Sequence, residues 1–190
     1  MIITENTTLE DLKKAIKKHI NLAVKEHGHP FKTCSLATAG DHELDLRYVV
    51  LREVSDQLHL FIYTDARTQK VKDININHEV AALFYDPKEK FQLRILGHAK
   101  VHYQSEITEE AWAKIEVKNR RDYLSTKRPG EEIDAPHQAH EWLPTDEGDH
   151  FAIIEIVPQK LDALQLDKSG HSRAQYTYHS EEWTGSWIAP

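Results

Sequence analysis

The sequence predicts a mainly β domain of the α+β class, in which antiparallel strands close into a barrel flanked by helices. Between residues 33 and 101 most apolar residues recur with a period of two, which is typical of strands with one buried face. A barrel is favoured because closure leaves no sheet edge exposed. Gly97 lies within a long strand pattern and indicates the bulge or bend that a barrel needs at a corner.

Length and composition predict one domain over residues 1–190. The chain is 39% hydrophobic and 29% charged, which is typical of a globular protein. Its net charge of −7 argues against nucleic acid or an anionic membrane as the main partner, since both attract basic surfaces. Cys34 is the only cysteine, so no intrachain disulfide is expected, and no stretch reads as a signal peptide or membrane span. A cytoplasmic location is therefore predicted.

Helices are predicted at three places. The N-terminal helix lies within residues 1–28, where Thr8 and Asp11 form a capping pair and Gly28 provides the stop. Shorter helices are predicted over 67–75 and 108–124.

Seven segments carry strand patterns, at residues 33–38, 44–51, 57–64, 80–85, 91–101, 151–157 and 171–178. The segment 127–149 is polar, contains three prolines and has no clear period. A segment of this length and character is predicted to be an irregular loop with a functional or interface role.

Three segments place polar groups on otherwise apolar strands. Arg47 and Arg52 lie on one strand, on opposite sides unless a bulge intervenes. Residues 63–70 form a strand-to-helix junction with hydroxyls, cations and free helix amides, which are the ingredients of a phosphate site. Gln92 shares the polar face of a third strand with Arg94. Each feature alone is weak, because strand arginines are commonly solvated and such junctions are commonly simple helix caps.

Taken in order, these motifs resemble the pyridoxamine 5′-phosphate oxidase-like family of FMN-binding split barrels. The resemblance covers about residues 31–190. The matching positions are the run from Arg47 to Arg52, Tyr63-Thr64, Thr68-x-Lys70, Gln92, Gly97, His171-Ser172-Arg173, Trp183 and the terminal Ala189-Pro190.

The resemblance implies a six-stranded antiparallel split barrel that forms a homodimer with two FMN sites between its subunits. Arg47 and Lys70, helped by Thr68, would hold the phosphate, and Arg52 would face the flavin ring or ribityl chain. The implied cofactor set is Arg47, Val49, Val50, Leu51, Arg52, Tyr63, Thr64, Thr68, Gln69, Lys70, Gln92 and Arg173. In it the backbone of residues 49–51 lines the isoalloxazine, Gln92 reaches it from the partner subunit, and Arg173 approaches its polar edge. No catalytic side chain is expected, because the flavin carries the redox chemistry.

The substrate positions depart from the vitamin-B6 oxidases. Ser169 stands where the family has an arginine, and Glu131 replaces a serine that helps to bind the substrate phosphate. The substrate candidates are Tyr123, Arg128 and His171. The sequence therefore predicts an FMN-dependent oxidoreductase that acts on a different, unidentified small molecule, with oxygen or a nicotinamide completing the cycle.

Two alternatives stay open at this point. One is a non-catalytic flavin carrier or sensor, and the other is a haem-handling split barrel with His171 or the 137–140 loop as iron ligand. His137 and His140 have a spacing that could chelate zinc, but they lie in the irregular loop and match no zinc-protease signature, so no metal is predicted.

Overall fold

The structure, a computed structural model, describes residues 1–41, 43–144 and 147–190. Its strands are β1 (Thr33–Ala39), β2 (Leu44–Val54), β3 (Leu60–Asp65), β4 (Glu79–Asp86), β5 (Phe91–Tyr103), β6 (Phe151–Gln165), β7 (Ser172–His179) and β8 (Glu182–Ile188). Its α-helices are α1 (Leu9–Lys25), α2 (Gln69–Ile76), α3 (Glu106–Lys114) and α4 (Val117–Arg120). None of the described helices is both long enough and apolar enough to cross a membrane.

Six strands form the predicted antiparallel barrel, in the order β3-β2-β1-β4-β5-β6. The pairing of β3 with β6, from Leu60 opposite Ile156 to Asp65 opposite Phe151, closes it. The β7–β8 hairpin extends the sheet beyond the barrel by pairing with the second half of β6. The prediction of a six-stranded barrel is confirmed.

Two strand predictions were wrong at the C-terminal side. The strand predicted over 151–157 continues to residue 165, because β3 covers the first half of β6 and β7 covers the second half. The segment 171–178 is not the last strand, since β8 follows it and carries Trp183 and Trp187. β8 escapes a pattern search because it pairs with β7 alone and leaves most of its side chains exposed or half-buried.

The helix predicted over 108–124 is broken. It consists of α3, α4 and a 3-10 turn at Arg121–Tyr123. The Arg120 side chain donates to the carbonyl oxygens of Trp112 (3.1 Å) and Ile115 (3.0 Å), which satisfies the end of α3 and favours a turn there. The predicted loop 127–149, of which residues 145 and 146 lie outside the described chain, holds a 3-10 turn at Pro136–Ala139.

The core fills the barrel and extends under α1. Leu12, Ile16 and Ile20 of α1 are fully buried, as their spacing predicts. The predicted cap is present, since the Asp11 amide donates to the Thr8 hydroxyl at 3.1 Å. α1 ends at Lys25, ahead of Gly28, which has the left-handed φ of +85°.

Two bulges shape the strands that carry the polar motifs. The β5–β6 register shifts between Leu96 and Gly97, as the mid-strand glycine predicts. A β-carbon at Gly97 would lie 2.2 Å from the Val157 carbonyl oxygen, so only glycine allows this approach. The β2–β3 register shifts between Leu51 and Glu53, which leaves Arg52 as the extra residue.

Gly97→Ala is expected to lower the free energy of unfolding by about 2–4 kcal/mol, because the added methyl group meets a backbone oxygen that cannot move without disturbing the barrel. Urea denaturation followed by circular dichroism measures the change. Lys100→Ala, at an exposed site of the same strand, is the control. An unchanged midpoint for Gly97→Ala would contradict the close approach.

Candidate functional site

Arg47 lies near the start of β2, and its guanidinium is held by the neighbouring strand β1. Nη1 donates to the Leu36 carbonyl oxygen (3.1 Å) and to the Thr38 hydroxyl (2.8 Å). Nη2 forms ion pairs with the half-exposed Asp45 and, at 3.8 Å, with the buried Asp73. The side chain is therefore fixed in direction. Its charge is balanced by one half-exposed carboxylate, Asp45, and one buried carboxylate, Asp73.

Lys70 lies in the first turn of α2, close enough to Arg47 for the two charges to interact. Its Nζ donates to the Thr64 hydroxyl at 3.2 Å. Burial and the charge of Arg47 lower the pKa of Lys70, while Asp65 and Asp45 oppose the shift. Two cations are thus held together in partly desolvated surroundings, and an anion placed between them would relieve their repulsion.

The turn before α2 supports this anion site. Thr68 is the N-cap residue of α2, and its buried hydroxyl donates to the Asp65 carbonyl oxygen at 2.9 Å. The first amides of a helix lack partners within the helix and favour anions. Gln69, in the predicted set, instead points its amide at Asp73, with Nε2 2.8 Å from Oδ1.

Arg67 is a structural clamp rather than a free cation. Its guanidinium makes a bidentate pair with the buried Asp65, with Nη2 2.7 Å from Oδ2 and Nε 3.0 Å from Oδ1. Nη2 also donates to the carbonyl oxygens of Ser125 (2.8 Å) and Lys127 (3.3 Å). These contacts fasten the start of the 127–149 loop to the turn that precedes α2.

Arg52 lies among aromatic rings, away from Arg47. Its Nη2 is 3.4 Å from the Tyr123 hydroxyl, and its buried Nε has no hydrogen-bond partner among the described residues. The Tyr63 hydroxyl donates to Glu53, and the rings of Tyr63 and Tyr123 both pack edge-on against Phe151. Burial raises the pKa of Tyr123, and the Arg52 charge opposes the rise. The result is a mostly buried aromatic cluster beside one arginine, whose Nε has no hydrogen-bond partner among the described residues.

Residues 49–51 join the two arginines along β2. Val49 and Leu51 turn their side chains into the core, and Val50 is half-buried. A ligand lying along this backbone would therefore reach from Arg47 and Lys70 at one end to Arg52 at the other. The resemblance predicts that FMN lies along this backbone.

Gln92 and Arg173 lie elsewhere, on the outer face of β5–β6–β7. Leu164 of β6 pairs with both residues and thus separates them. Asp162, which is buried, accepts hydrogen bonds from Arg173 (Nε, 2.9 Å) and from Arg94 (Nη2, 2.6 Å). No hydrogen bond or ion pair among the described residues joins this group to Arg47 or Lys70. Within a single chain the predicted cofactor residues therefore form two separate groups.

The substrate candidates are likewise separate within the chain. Tyr123 belongs to the aromatic cluster, whereas the Arg128 side chain is exposed. His171 is exposed, and its Nδ1 accepts from the Asp167 amide at 3.2 Å. Glu131 accepts from the Arg128 amide at 3.1 Å and pairs with Lys127 at 3.4 Å.

Sequence reasoning missed three residues that organise these groups, namely Thr38, Asp73 and Asp162. Each is buried, and each contacts an arginine of the predicted site. A polar residue at a buried position of a strand or helix was the available signal. In the described part of the chain, no three His, Cys, Asp or Glu side chains are arranged to bind a metal ion.

These features define a split barrel in which β2 carries Arg47, close to Lys70, toward one end and Arg52, beside a buried aromatic cluster, toward the other. The family model described as "Pyridoxamine 5'-phosphate oxidase, FMN-binding domain" matches residues 9–103. The chain belongs to this family, whose cofactor is FMN. The resemblance seen in the sequence is thereby confirmed.

Individual relatives agree with this family. The chain is 30% identical to a pyridoxine/pyridoxamine 5′-phosphate oxidase from Psychrobacter cryohalolentis over 146 residues, which are 76% of this chain and 58% of that protein. The chain thus spans less than two thirds of the length of this curated relative.

Solved structures share the fold. A pyridoxamine 5′-phosphate oxidase-related, FMN-binding protein from Nostoc punctiforme superposes with a TM-score of 0.78 at 20% identity, covering 97% of this chain and 100% of that one. PhzG from Burkholderia lata 383, in complex with tetrahydrophenazine-1-carboxylic acid, gives a TM-score of 0.71 at 18% identity over 94% and 90% of the two chains.

The residues present fit FMN. The paired cations Arg47 and Lys70 suit a phosphate dianion, because charge-assisted hydrogen bonds in a partly desolvated cleft are strong. The buried Nε of Arg52 is a donor that the described protein leaves unused, as expected where a polar flavin atom binds.

Asp162→Asn is expected to lower the free energy of unfolding at pH 7 by about 1–3 kcal/mol, because two arginines lose their shared charged acceptor. Hydrogen bonds from Arg173 and then Arg94 lower the pKa of Asp162 in the folded chain. The stabilisation is therefore complete above the ordinary aspartate pKa and is lost as pH falls through the lower folded value.

Chemical denaturation of both proteins between pH 7 and pH 3 measures this difference. The difference in the free energy of unfolding between wild type and Asp162→Asn should become smaller below about pH 4. Asp134→Asn, at an exposed loop position, serves as the control. A gap that stays constant down to pH 3 would show that the carboxylate charge has no role.

Proposed function

We propose that this chain is an FMN-dependent oxidoreductase that acts on a small molecule and assembles its cofactor sites as a homodimer. The observation that carries the proposal is the placement of Arg47 and Lys70, two half-buried cations beside the first turn of α2. Arg47 already pairs with Asp45 and Asp73, and a phosphate dianion would add a charged acceptor for both cations.

Arg47 and Lys70 would hold the FMN phosphate, with the helix amides that follow Thr68 as further donors. Residues 49–51 would present their backbone to the isoalloxazine, and Arg52 would donate from its Nε. Thr64 orients Lys70 through their hydrogen bond. The bound flavin supplies hydride transfer, and the protein contributes binding, orientation and exclusion of water.

An exposed apolar face supports the homodimer. The side of β2 that carries Leu44, Leu46 and Tyr48 faces outward, and these side chains are 83%, 67% and 79% exposed. Leu83 and Tyr85 of β4 extend the same side of the sheet. A contiguous apolar surface of this kind is typical of a protein–protein interface.

The predicted cofactor residues form two separate groups within one chain, and this separation also supports a homodimer. The apolar face runs across β2, β1 and β4 to β5, where Gln92 and Arg94 lie. In a two-fold contact through this face, β2 of one chain faces β5 of the other. Gln92 of one chain would thereby approach the flavin held on the partner's β2. Such a contact would account for the separation of the predicted cofactor residues within a single chain.

The substrate proposed is not pyridoxamine 5′-phosphate. Lys127 is paired with Glu131, and the Arg128 side chain projects into solvent, so this loop presents no uncompensated cation pair for a second phosphate.

The Arg47→Ala, Lys70→Ala double variant is expected to lose FMN while staying folded, because it removes both phosphate cations from positions outside the core. Lys14→Ala with Lys118→Ala makes the same charge change at exposed sites and should retain the cofactor. Absorbance near 450 nm after desalting measures retention, and extraction identifies the flavin.

Full FMN occupancy in the Arg47, Lys70 double variant would contradict the proposed phosphate site. A Soret band in place of flavin absorbance would favour the haem alternative. Binding of FMN without turnover of any nicotinamide or small-molecule substrate would favour a carrier or sensor.

Leu44→Glu with Leu46→Glu is expected to convert the dimer into monomers, because carboxylates lose their hydration in an apolar interface. The monomers should retain FMN poorly. Sedimentation equilibrium measures the mass, and Ile107→Glu with Val117→Glu, at exposed apolar sites on the helices, is the control. A monomeric wild type, or a dimeric Leu44, Leu46 variant, would argue against the interface.

A further inference from the structure

Asp73 is a buried carboxylate in the second turn of α2, behind the proposed phosphate site. Its side chain is 2% exposed. Oδ2 accepts from the Thr38 hydroxyl at 2.7 Å, and Oδ1 accepts from the Gln69 amide at 2.8 Å. Arg47 Nη2 lies 3.8 Å from Oδ2. Asp73 thus links β1, β2 and α2 at the point where the cofactor phosphate is proposed to bind.

The direction of these hydrogen bonds gives Asp73 a specific role. A hydroxyl has one proton to donate, and Thr38 donates it to Asp73. The Thr38 oxygen must therefore turn its lone pairs toward Arg47 Nη1, which donates to it at 2.8 Å. Asp73 in this way makes Thr38 an acceptor and holds one edge of the guanidinium on β1.

The β1–β2 turn is adapted to this carboxylate. A β-carbon at Gly40 would lie 3.0 Å from Asp73 Oδ1. Any larger side chain in the turn would press on the carboxylate, so the glycine keeps the space that Asp73 occupies.

We propose that Asp73 is a positioning residue for the FMN phosphate, acting through Thr38 to fix Arg47. This inference rests on the proposed function, because it assigns the Arg47 guanidinium to the cofactor phosphate. Asp73 does not touch the phosphate itself.

The proposed role of Asp73 and simple electrostatics predict opposite changes in FMN affinity when the Asp73 charge is removed, which makes the inference testable. A carboxylate near a phosphate repels it, so removing the charge of Asp73 would tighten FMN binding if charge alone mattered. Asp41, an exposed carboxylate of the same β1–β2 turn, provides the comparison for the loss of one negative charge.

Asp73→Asn is expected to weaken FMN binding by about 10-fold to 100-fold, because the amide offers one acceptor for two donors and releases Arg47 from its orientation. Riboflavin, which lacks the phosphate, should bind within about 3-fold of wild type. Asp41→Asn removes the same charge at an exposed position and should leave FMN binding unchanged. Quenching of flavin fluorescence on titration of the apoprotein measures the FMN dissociation constants of the three proteins and the riboflavin constants of wild type and Asp73→Asn.

Thr38→Val is the second variant, since it removes the hydroxyl with little change in volume. It should reproduce the selective loss of FMN affinity. Combined with Asp73→Asn it should add little further loss, because both changes break the same chain of hydrogen bonds.

Unchanged or tighter FMN binding in both Asp73→Asn and Thr38→Val would overturn the inference. So would an equal loss of FMN and riboflavin, which indicates a general loss of structure. A wild-type protein that binds riboflavin as tightly as FMN would overturn the proposed phosphate site, and this inference with it, before any variant is compared.

Discussion

The pairing of β3 with β6 is the constraint on which the rest of the molecule depends. It closes the barrel, and it places Phe151 and Ile153 beside the outer face of β3. The buried aromatic cluster around Tyr63 and Tyr123 forms on this seam. The same closure fixes the end of β3, from which the chain turns through Thr68 into α2. The place of Lys70 and of the proposed phosphate site is therefore a consequence of how the barrel closes.

Buried carboxylates organise the charged groups of this protein. Asp65 holds Arg67 against the loop, Asp162 holds Arg173 and Arg94 on the outer sheet, and Asp73 lies behind Arg47. An arginine held by a buried carboxylate already has a fixed orientation. It therefore loses little side-chain entropy when a ligand binds. The sites are in this sense set in place before a ligand arrives, as expected where the cofactor performs the chemistry.

Membership of the FMN-binding family narrows the activity without naming the substrate. The family's reaction chemistry belongs to the flavin, so differences among members depend on the side chains around the ring. In the proposed site those differences would be the Lys127–Glu131 pair and an arginine at position 52, whose planar guanidinium binds in other geometries than a lysine ammonium. The exposed apolar face of β2 gives the same strand a second proposed role in assembly.

The sequence by itself determined the barrel, the Thr8 cap and the bulge at Gly97, because these depend on local periodicity and on residues with special backbone properties. It also predicted cofactor residues in the runs 47–52 and 63–70 and at Gln92 and Arg173. Only the tertiary structure decided the break after α3, the bulge at Arg52 and the place of Asp73 beside Thr38. Those features depend on contacts between residues far apart in the chain, such as a helix carboxylate and a strand hydroxyl 35 positions apart, and local pattern carries no information about such contacts.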